Sequence, residues 1–405
     1  MAYDFAAPYS DCFWENAMHT LISFLGFAQK GYVETEYDFN GEKFKTKFIG
    51  AGLTQILQPQ QLLLVGTAGS MWDVLLQDVA NDKDITALMD AVEKKAVTEA
   101  LLQPCLPKMR EKFGCEVKFI IIEYARTEAE QISLLQRIAD ELNENDSISI
   151  DVTHSFRHLP MLALVASRFL GKVKNIATRH ICYGALNMPD GNPVIELSGM
   201  LKMLDWVDAL AVYNHNGSYH EFAGLFRREQ ASEAAECLEN AAFYENTNQI
   251  HQARGKLDSF HHLVLPDNPL IGLFKPELDK RTGWAKHNDY ARRQLENAKL
   301  HLDKGDYLRA TVLAYEAWLS KMTYAYKGDM ANYHDREQAE NHFTAKMSAA
   351  QKADFDCLNH IRNALAHGTQ PGRNNRRVQA ALKDSETLRR ELSDAVRTIG
   401  QWQPD

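Results

Sequence analysis

The sequence predicts two halves: an α/β N-terminal half built on a mostly parallel sheet, and an all-α C-terminal half. Three observations predict it. Short strand-length runs alternate with helix-length segments through the first half, as at the largely apolar Leu62-Leu63-Leu64-Val65 and Val117 to Ile122 and the alternating Ile148 to Val152. Runs of that kind read as strands covered on both faces, and their alternation with helices implies parallel pairing. Near the start stands a hairpin signature, YVETEYDF, then Asn40-Gly41, then EKFKTKF. After about Glu196 the apolar spacing turns helical and stays so.

Taken in order, residues 1–19 form a poorly patterned extension. The opening MAYDFAAPYSDCFWENAMHT lacks the basic start and long apolar core of a signal peptide. Leu21 to Gly26 is a buried-strand pattern closed by glycine. The hairpin follows, then a short helix to about Leu57. The strand Leu62 to Val65 runs straight into Gly66-Thr67-Ala68-Gly69-Ser70-Met71-Trp72-Asp73. Residues 85–112 read as helical, Val117 to Ile122 as a strand and Thr127 to Leu142 as a helix. The strand Ile148 to Val152 ends in Thr153-His154-Ser155-Phe156-Arg157-His158, before an apolar helix Leu159 to Leu170 and a late strand Ile181 to Leu186. The second half opens with a helix from Leu197 to Val212, with breaks at Asn214 to Ser218 and Leu265 to Pro269. A helical hairpin spans Ala298 to Tyr324, turning at Gly305-Asp306-Tyr307. A last helix, Asp356 to His367, stops at Gly368.

Composition narrows the function. The 405 residues are 45% hydrophobic and 24% charged, as in globular chains of two or three domains. A formal net charge of −9 excludes a nonspecific nucleic-acid coater, so any RNA contact must use local basic patches. None of the six cysteines forms a CxxC pair, which fits a reducing cytosol and argues against a cysteine-built zinc site. No apolar run reaches membrane-spanning length.

Three places carry candidate chemistry. The first is Arg362-Asn363-Ala364-Leu365-Ala366-His367-Gly368. Asn363 and His367 share a helix face. Arg362 and His367 lie about 140° apart around an ideal helix, and converge only because arginine is long and the helix is ending. A neutral histidine can move a proton near pH 7, and an arginine can stabilise the charge of a phosphorane-like transition state. With the substrate's own 2′-hydroxyl as nucleophile, the pair suits RNA cleavage without metal. The plainer reading is a surface helix whose His367 meets the terminal carbonyls. The second place is the loop Gly66 to Asp73. Its backbone N–H groups could approach a phosphate, or it is a tight turn with Ser70 as N-cap. The third is Asp151-Val152-Thr153-His154-Ser155, either a ligand loop at a strand end or a helix start with His154 in a local hydrogen bond. Gly26, Thr67 and His154 all fall at the carboxyl edge of the sheet, where such sheets bind ligands.

Weaker signals are weighed beside these. His251, His261 and His262 could suggest metal, but adjacent helical histidines point apart. Lys280, Arg281, Lys286, Arg292 and Arg293, with Trp284 and Tyr290 among them, could meet RNA or form a solvated face. Glu316 could pair with Arg362. Arg373, Arg376 and Arg377 could meet phosphates.

Two motifs carry a resemblance. DVTHS at 151–155 is similar to the D-x-T-H-G/S motif of CARF domains, and RNALAHG resembles the RN-x3-H form of the R-x4-H motif of HEPN ribonucleases. GTAGSMWD and the opening LISFLGFAQKGYVETEYDF also look like the CARF pattern. Both motifs occur, in this order, in the CRISPR-associated CARF–HEPN ribonucleases of type III systems. The likeness covers most of residues 20–200 plus the C-terminal motif, with Ser155 where the commonest form has glycine.

The resemblance implies a Rossmann-like CARF domain at 20–200, a helical linking region at 201–295 and a HEPN ribonuclease domain at 296–405. It implies a cytoplasmic homodimer or higher oligomer, off the membrane, without cofactor or metal. Its activator would be a cyclic oligoadenylate, cyclic tetraadenylate first, and its substrate single-stranded RNA. Arg362, His367 and Asn363 would be catalytic, in a composite site across a two-fold axis, leaving a 2′,3′-cyclic phosphate. Gly26, Gly66, Thr67, Gly69, Ser70, Thr153, His154, Ser155 and Arg157 would line the ligand site, so His154→Ala is expected to weaken activation and spare the fold. Two alternatives stay open: a nuclease acting on the cyclic ligand through His154, and a sensor whose HEPN half only dimerises.

Overall fold

The structure, a computed structural model, describes residues 17–28, 31–372 and 375–403. Residues 1–16, with Cys12, and Arg373 lie outside them. The chain divides into two compact units between Met203 and Leu204.

The first unit is built on a six-stranded sheet. Its strands are β1 (His19–Leu25), β4 (Gln61–Thr67), β5 (Glu116–Ile122), β6 (Ser147–Asp151), β7 (Ala177–Gly184) and β8 (Val194–Glu196), in the order β5-β4-β1-β6-β7-β8. All pairings are parallel except β8 on β7. The hairpin β2 (Thr35–Phe39) and β3 (Glu42–Thr46) forms a separate sheet. Its turn takes the left-handed region twice, Asn40 at φ 54° and Gly41 at φ 91°, as the Asn-Gly pair requires. The helices are α1 (Ile49–Leu57), α2 (Trp72–Leu76), α3 (Asp82–Glu93), α4 (Glu99–Leu102), α5 (Leu106–Phe113), α6 (Glu128–Asp140) and α7 (His158–Val173). Every residue of β1 and β4 is buried. Leu21, Leu25, Leu62 and Leu64 enter one hydrophobic cluster, and Ile22, Phe24, Leu63 and Val65 the other. Covered faces explain why these strands are continuous apolar runs in the sequence.

Two expectations are corrected here. The helix at 85–112 is broken. Lys95 turns left-handed at φ 52°, and the Val97 N–H then donates to the Ala68 carbonyl, returning the chain to the glycine loop. The strand β8 was not foreseen, because three residues are too few to show a period.

The second unit is all helical: α8 (Gly199–Asn216), which begins just before the division, α9 (His220–Arg228), α10 (Ser232–Asn246), α11 (Ile250–His262), α12 (Pro269–Arg281), α13 (Tyr290–Asp303), α14 (Tyr307–Tyr326), α15 (Tyr333–Thr344), α16 (Ala349–His367), α17 (Arg376–Ala381) and α18 (Ser385–Gln401). One hydrophobic cluster runs from Trp206 to Trp402 and takes residues from both 206–295 and 296–402. Among the described residues no helix is long and apolar enough to cross a membrane.

Inside this core sits an unusual carboxyl. Glu245 of α10 is part-exposed as a residue, but its Oε1 is sealed from solvent and, among the described residues, has no hydrogen-bond partner. Burial raises its pKa to about 8, against the opposing pull of Tyr219, Arg309 and Trp284. The folded state therefore keeps a proton between pH 4.5 and about 8 that the unfolded chain releases, so this group lowers stability as pH rises across that window. Glu245→Gln removes the effect. Its melting temperature should exceed the parent's by at least about 4 °C more at pH 8 than at pH 5.5, each kcal/mol being worth about 2–4 °C in a unit of this size. Thermal melts of both proteins at the two pH values test this; a difference independent of pH refutes it.

Candidate functional site

The carboxyl edge of the sheet is assembled from three chain ends. The order β4-β1-β6 means the chain leaves β1 to one side and later returns to the other, which opens a crevice beyond the strand ends. Register brings Leu25 beside Gly66 and Ser23 beside Asp151. Gly26 and the turn at Thr153 to Ser155 thus emerge together. The approach is so close that a Cβ on Gly26 would stand 2.8 Å from the His154 carbonyl oxygen and 2.9 Å from its carbon.

Asp151 sets that turn. Fully buried, it accepts from the Ser23 hydroxyl at 2.6 Å and the Thr153 N–H at 3.0 Å. The Thr153 hydroxyl accepts from the Gly184 N–H at 2.8 Å. His154 is then held between two rings, Tyr32 at 4.6 Å and Phe48 at 5.4 Å, and its Nε2 accepts from the Ile49 N–H at 3.3 Å. Burial lowers the His154 pKa, with the Asp151 carboxylate opposing. A neutral ring with an unprotonated Nε2 is the form that can accept from Ile49. The Tyr32 hydroxyl closes the ring of contacts, donating to the Gly26 carbonyl at 3.0 Å. His154→Ala would empty a space between two rings and leave the Ile49 N–H without its acceptor, so a cost to the fold is expected beside any loss of activation. Ser155 is half-buried, and Arg157 is exposed before the first turn of α7.

The glycine loop is more internal than its sequence suggests. Ser70 is not an N-cap; Met71 holds that position. The Ser70 hydroxyl donates to the Leu25 carbonyl at 2.7 Å and accepts from the Thr67 N–H at 2.9 Å. The N–H groups of Ser70, Met71 and Trp72 also donate within the fold, that of Met71 to the Gly26 carbonyl at 3.0 Å. Thr67 and Ser70 are buried, and a Cβ on Gly66 would meet the Trp72 ring at 2.7 Å. This loop stitches β4 to β1, and Ala68, Gly69, Met71 and Asp73 are its part-exposed members.

In the helical unit, α16 begins seven residues before the expected Asp356. A capping box formed by Ser348 and Gln351 starts it, a signal present in the sequence as S-x-x-Q. Gly368 ends it at φ 61°, its N–H donating to the Ala364 carbonyl, and the Thr369 N–H donates to the same oxygen at 3.1 Å. Near that end, the guanidinium of Arg362 lies 4.3 Å over the Tyr315 ring of α14, and its Nη2 donates to the Asn359 Oδ1 at 2.8 Å. The Asn363 amide reaches the same oxygen at 3.5 Å. Glu316 does not pair with Arg362; it takes Arg336. His367 is exposed, and among the described residues no hydrogen bond, ion pair or ring contact joins it to Arg362. One chain alone thus leaves the two apart.

Residues 20–187 match the family model described as the CARF domain of the CRISPR system endoribonuclease Csx1. The first unit carries a CARF domain. The chain is also 24% identical over 397 residues to the CRISPR-associated protein MJ1674 of Methanocaldococcus jannaschii, a match covering 86% of this chain. The chain spans 62% of that relative's length.

The CARF domain holds edge residues that the sequence reading missed. Tyr32 and Phe48 clamp His154 from the hairpin's two flanks. Lys95, exposed in its left-handed turn, reaches to 3.0 Å from where a Gly69 Cβ would stand, beside the Tyr124 hydroxyl at 2.9 Å. Tyr124 faces Phe156 at 5.9 Å, with the Arg126 guanidinium 5.5 Å from the Tyr124 ring. Gly31, at φ 73° before Tyr32, was the one local signal.

Two weaker expectations in the helical unit are also corrected. Of the stretch from Lys280 to Arg293, Trp284 is buried, and Arg293 is buried with Nη1 donating to the His287 and Asn288 carbonyls at 2.7 and 3.0 Å. Arg281 is tied to Glu277 and Asn214. Trp284 thus serves the core, while the part-exposed Tyr290 faces His251 at 6.4 Å and lies 5.4 Å under the Arg293 guanidinium. Arg377 bridges Asp354 at 2.7 Å and Glu391 at 2.8 Å, and both Arg376 and Arg377 are exposed. His261 is paired with Asp279 at 2.9 Å.

Proposed function

We propose that this protein is an endoribonuclease of the HEPN type, switched on by a cyclic oligoadenylate bound at the carboxyl edge of its CARF domain. The observation that carries the reading is the setting of Arg362 over Tyr315 near the C-terminal end of α16, one turn from an exposed His367. In the proposed reaction a histidine accepts the proton of the RNA 2′-hydroxyl, the 2′-oxygen bonds to phosphorus, and the P–O5′ bond breaks. The 5′-oxygen takes a proton, leaving a 2′,3′-cyclic phosphate and a 5′-hydroxyl. Arg362 stabilises the doubly charged oxygens of the transition state.

The two residues would face their counterparts across a two-fold axis, since a single chain holds them apart. A surface suited to pairing exists on α7. Met161, Val165, Phe169 and Val173 stand at successive four-residue steps and are 72%, 54%, 43% and 60% exposed, an apolar ridge that a second copy would cover. Activator binding would shift the pair toward the competent arrangement. The His154 setting favours binding over ring hydrolysis, because its Nε2 lone pair is already engaged by Ile49.

The test follows RNA and ligand together, in excess EDTA, with cyclic tri-, tetra- and hexaadenylate. Single-stranded RNA should be cleaved only with one of them, cyclic tetraadenylate first, and that ligand should also raise the melting temperature. Consumption of ligand with intact RNA would establish a ring nuclease instead. Neither reaction, with a thermal shift, would leave a sensor. Activity that EDTA abolishes and magnesium restores would overturn the Arg/His mechanism.

A further inference from the structure

The proposed mechanism needs Arg362 to be held in place and yet fully charged. Those needs conflict in most proteins, because the usual holder of a half-buried guanidinium is a carboxylate, which cancels the field meant for the phosphate. The surroundings of Arg362 resolve the conflict. Among the described residues its ring contact and its hydrogen bond are both to neutral groups: the face of Tyr315 at 4.3 Å and the amide oxygen of Asn359 at 2.8 Å. The nearby carboxylates have other partners. Glu316 pairs with Arg336, and Glu340 accepts from the Tyr315 hydroxyl at 3.2 Å. Among the described residues Arg362 has no ion pair.

The ring that carries Arg362 is itself fixed. Tyr315 is 5% exposed and packs against Phe355 at 5.5 Å, while Glu340 anchors its hydroxyl. Burial and Glu340 push that hydroxyl up to about 12, so the face offered to the cation stays neutral. Asn359 lies one turn before Arg362 on the same helix, where an i, i+3 pair meets. A stacked face and one tethered edge fix the plane of the guanidinium, as two-point contact should.

We propose that Tyr315 and Asn359 are positioning residues, which hold the guanidinium of Arg362 in plane without neutralising it for an RNA phosphate. The inference rests on the ribonuclease reading and goes beyond it in naming what prepares the arginine.

The test is single-turnover cleavage of a 5′-labelled single-stranded RNA by the full chain with saturating cyclic tetraadenylate. Tyr315→Leu should slow the cleavage step about 3- to 30-fold, the span expected for losing a cation–π contact, and Tyr315→Phe should recover most of it. Asn359→Leu should slow it in the same way. Asn359→Asp should be slower than Asn359→Leu, although it keeps an acceptor, because it supplies the cancelling charge. In an Arg362→Ala background neither Tyr315→Leu nor Asn359→Leu should lower the residual rate further, since both act through Arg362. Should Tyr315→Leu fail to fold, the half-buried Asn359 series decides alone. Parental rates in Tyr315→Leu and Asn359→Leu, or losses that persist without Arg362, overturn the inference while leaving the ribonuclease reading standing. A parental rate in Arg362→Ala overturns both.

Discussion

Replacing His367 by alanine should lower the single-turnover rate of RNA cleavage by about 10²–10⁴-fold, the usual worth of a positioned proton-transfer group. Its imidazole is exposed at the last turn of α16, so the loss should come without a change in melting temperature or dimerisation. Arg362→Ala should cost a comparable factor through lost transition-state stabilisation. Arg362→Lys should recover only part of it, because an ammonium cannot lie flat on Tyr315 while donating to Asn359. Asn363→Ala should do less than either, since among the described residues its side-chain hydrogen bond is the long one to Asn359. Mixing the Arg362→Ala and His367→Ala proteins offers a sharper result. If each site takes its arginine and histidine from opposite chains, the mixed dimer contains one intact site, and activity returns. A His367→Ala protein that cleaves like the parent would leave the sensor reading in its place. Mixed chains that stay inactive would argue that the pair acts within one chain.

In the CARF domain, Gly26→Ala should abolish activation by cyclic oligoadenylate while leaving most of the fold. The added methyl would stand 2.8 Å from the backbone oxygen of His154, and backbone cannot swing aside as a side chain can. Overpacking of this kind costs about 1–3 kcal/mol, and here it would displace the turn that carries the ligand edge. His154→Ala should also weaken binding, but through a different route and with a larger drop in melting temperature. It empties the space between Tyr32 and Phe48 and orphans the Ile49 N–H. Calorimetric titration of both variants with cyclic tetraadenylate, beside their thermal melts, checks this. Parental affinity in both would remove this edge from the ligand site.

Much of this architecture was legible in the sequence, and the reason is local. A strand covered on both faces tends to an apolar run wherever it pairs, so β1, β4 and β5 announced themselves, while β6, SISID, showed as an alternation of isoleucine with polar residues. The Asn40-Gly41 turn and the stop at Gly368 follow from backbone conformations that those residues adopt most easily. The motifs around His154 and Arg362 were visible for the same reason, as short runs with a fixed chemistry.

Only the tertiary structure decided what those motifs touch. His154 meets a backbone N–H 105 positions away, and Ser70 a carbonyl 45 positions away. Neither partner leaves a periodic trace, so Ser70 read as a helix cap when it is a stitch between strands. From the sequence Arg362 could have paired with Glu316. It rests instead on Tyr315, the residue before, because successive residues on a helix point about 100° apart and packing selects which one faces α16. Apolar periodicity reports how much of a residue is covered. It does not report by what, since covering depends on chain segments brought together from far along the sequence.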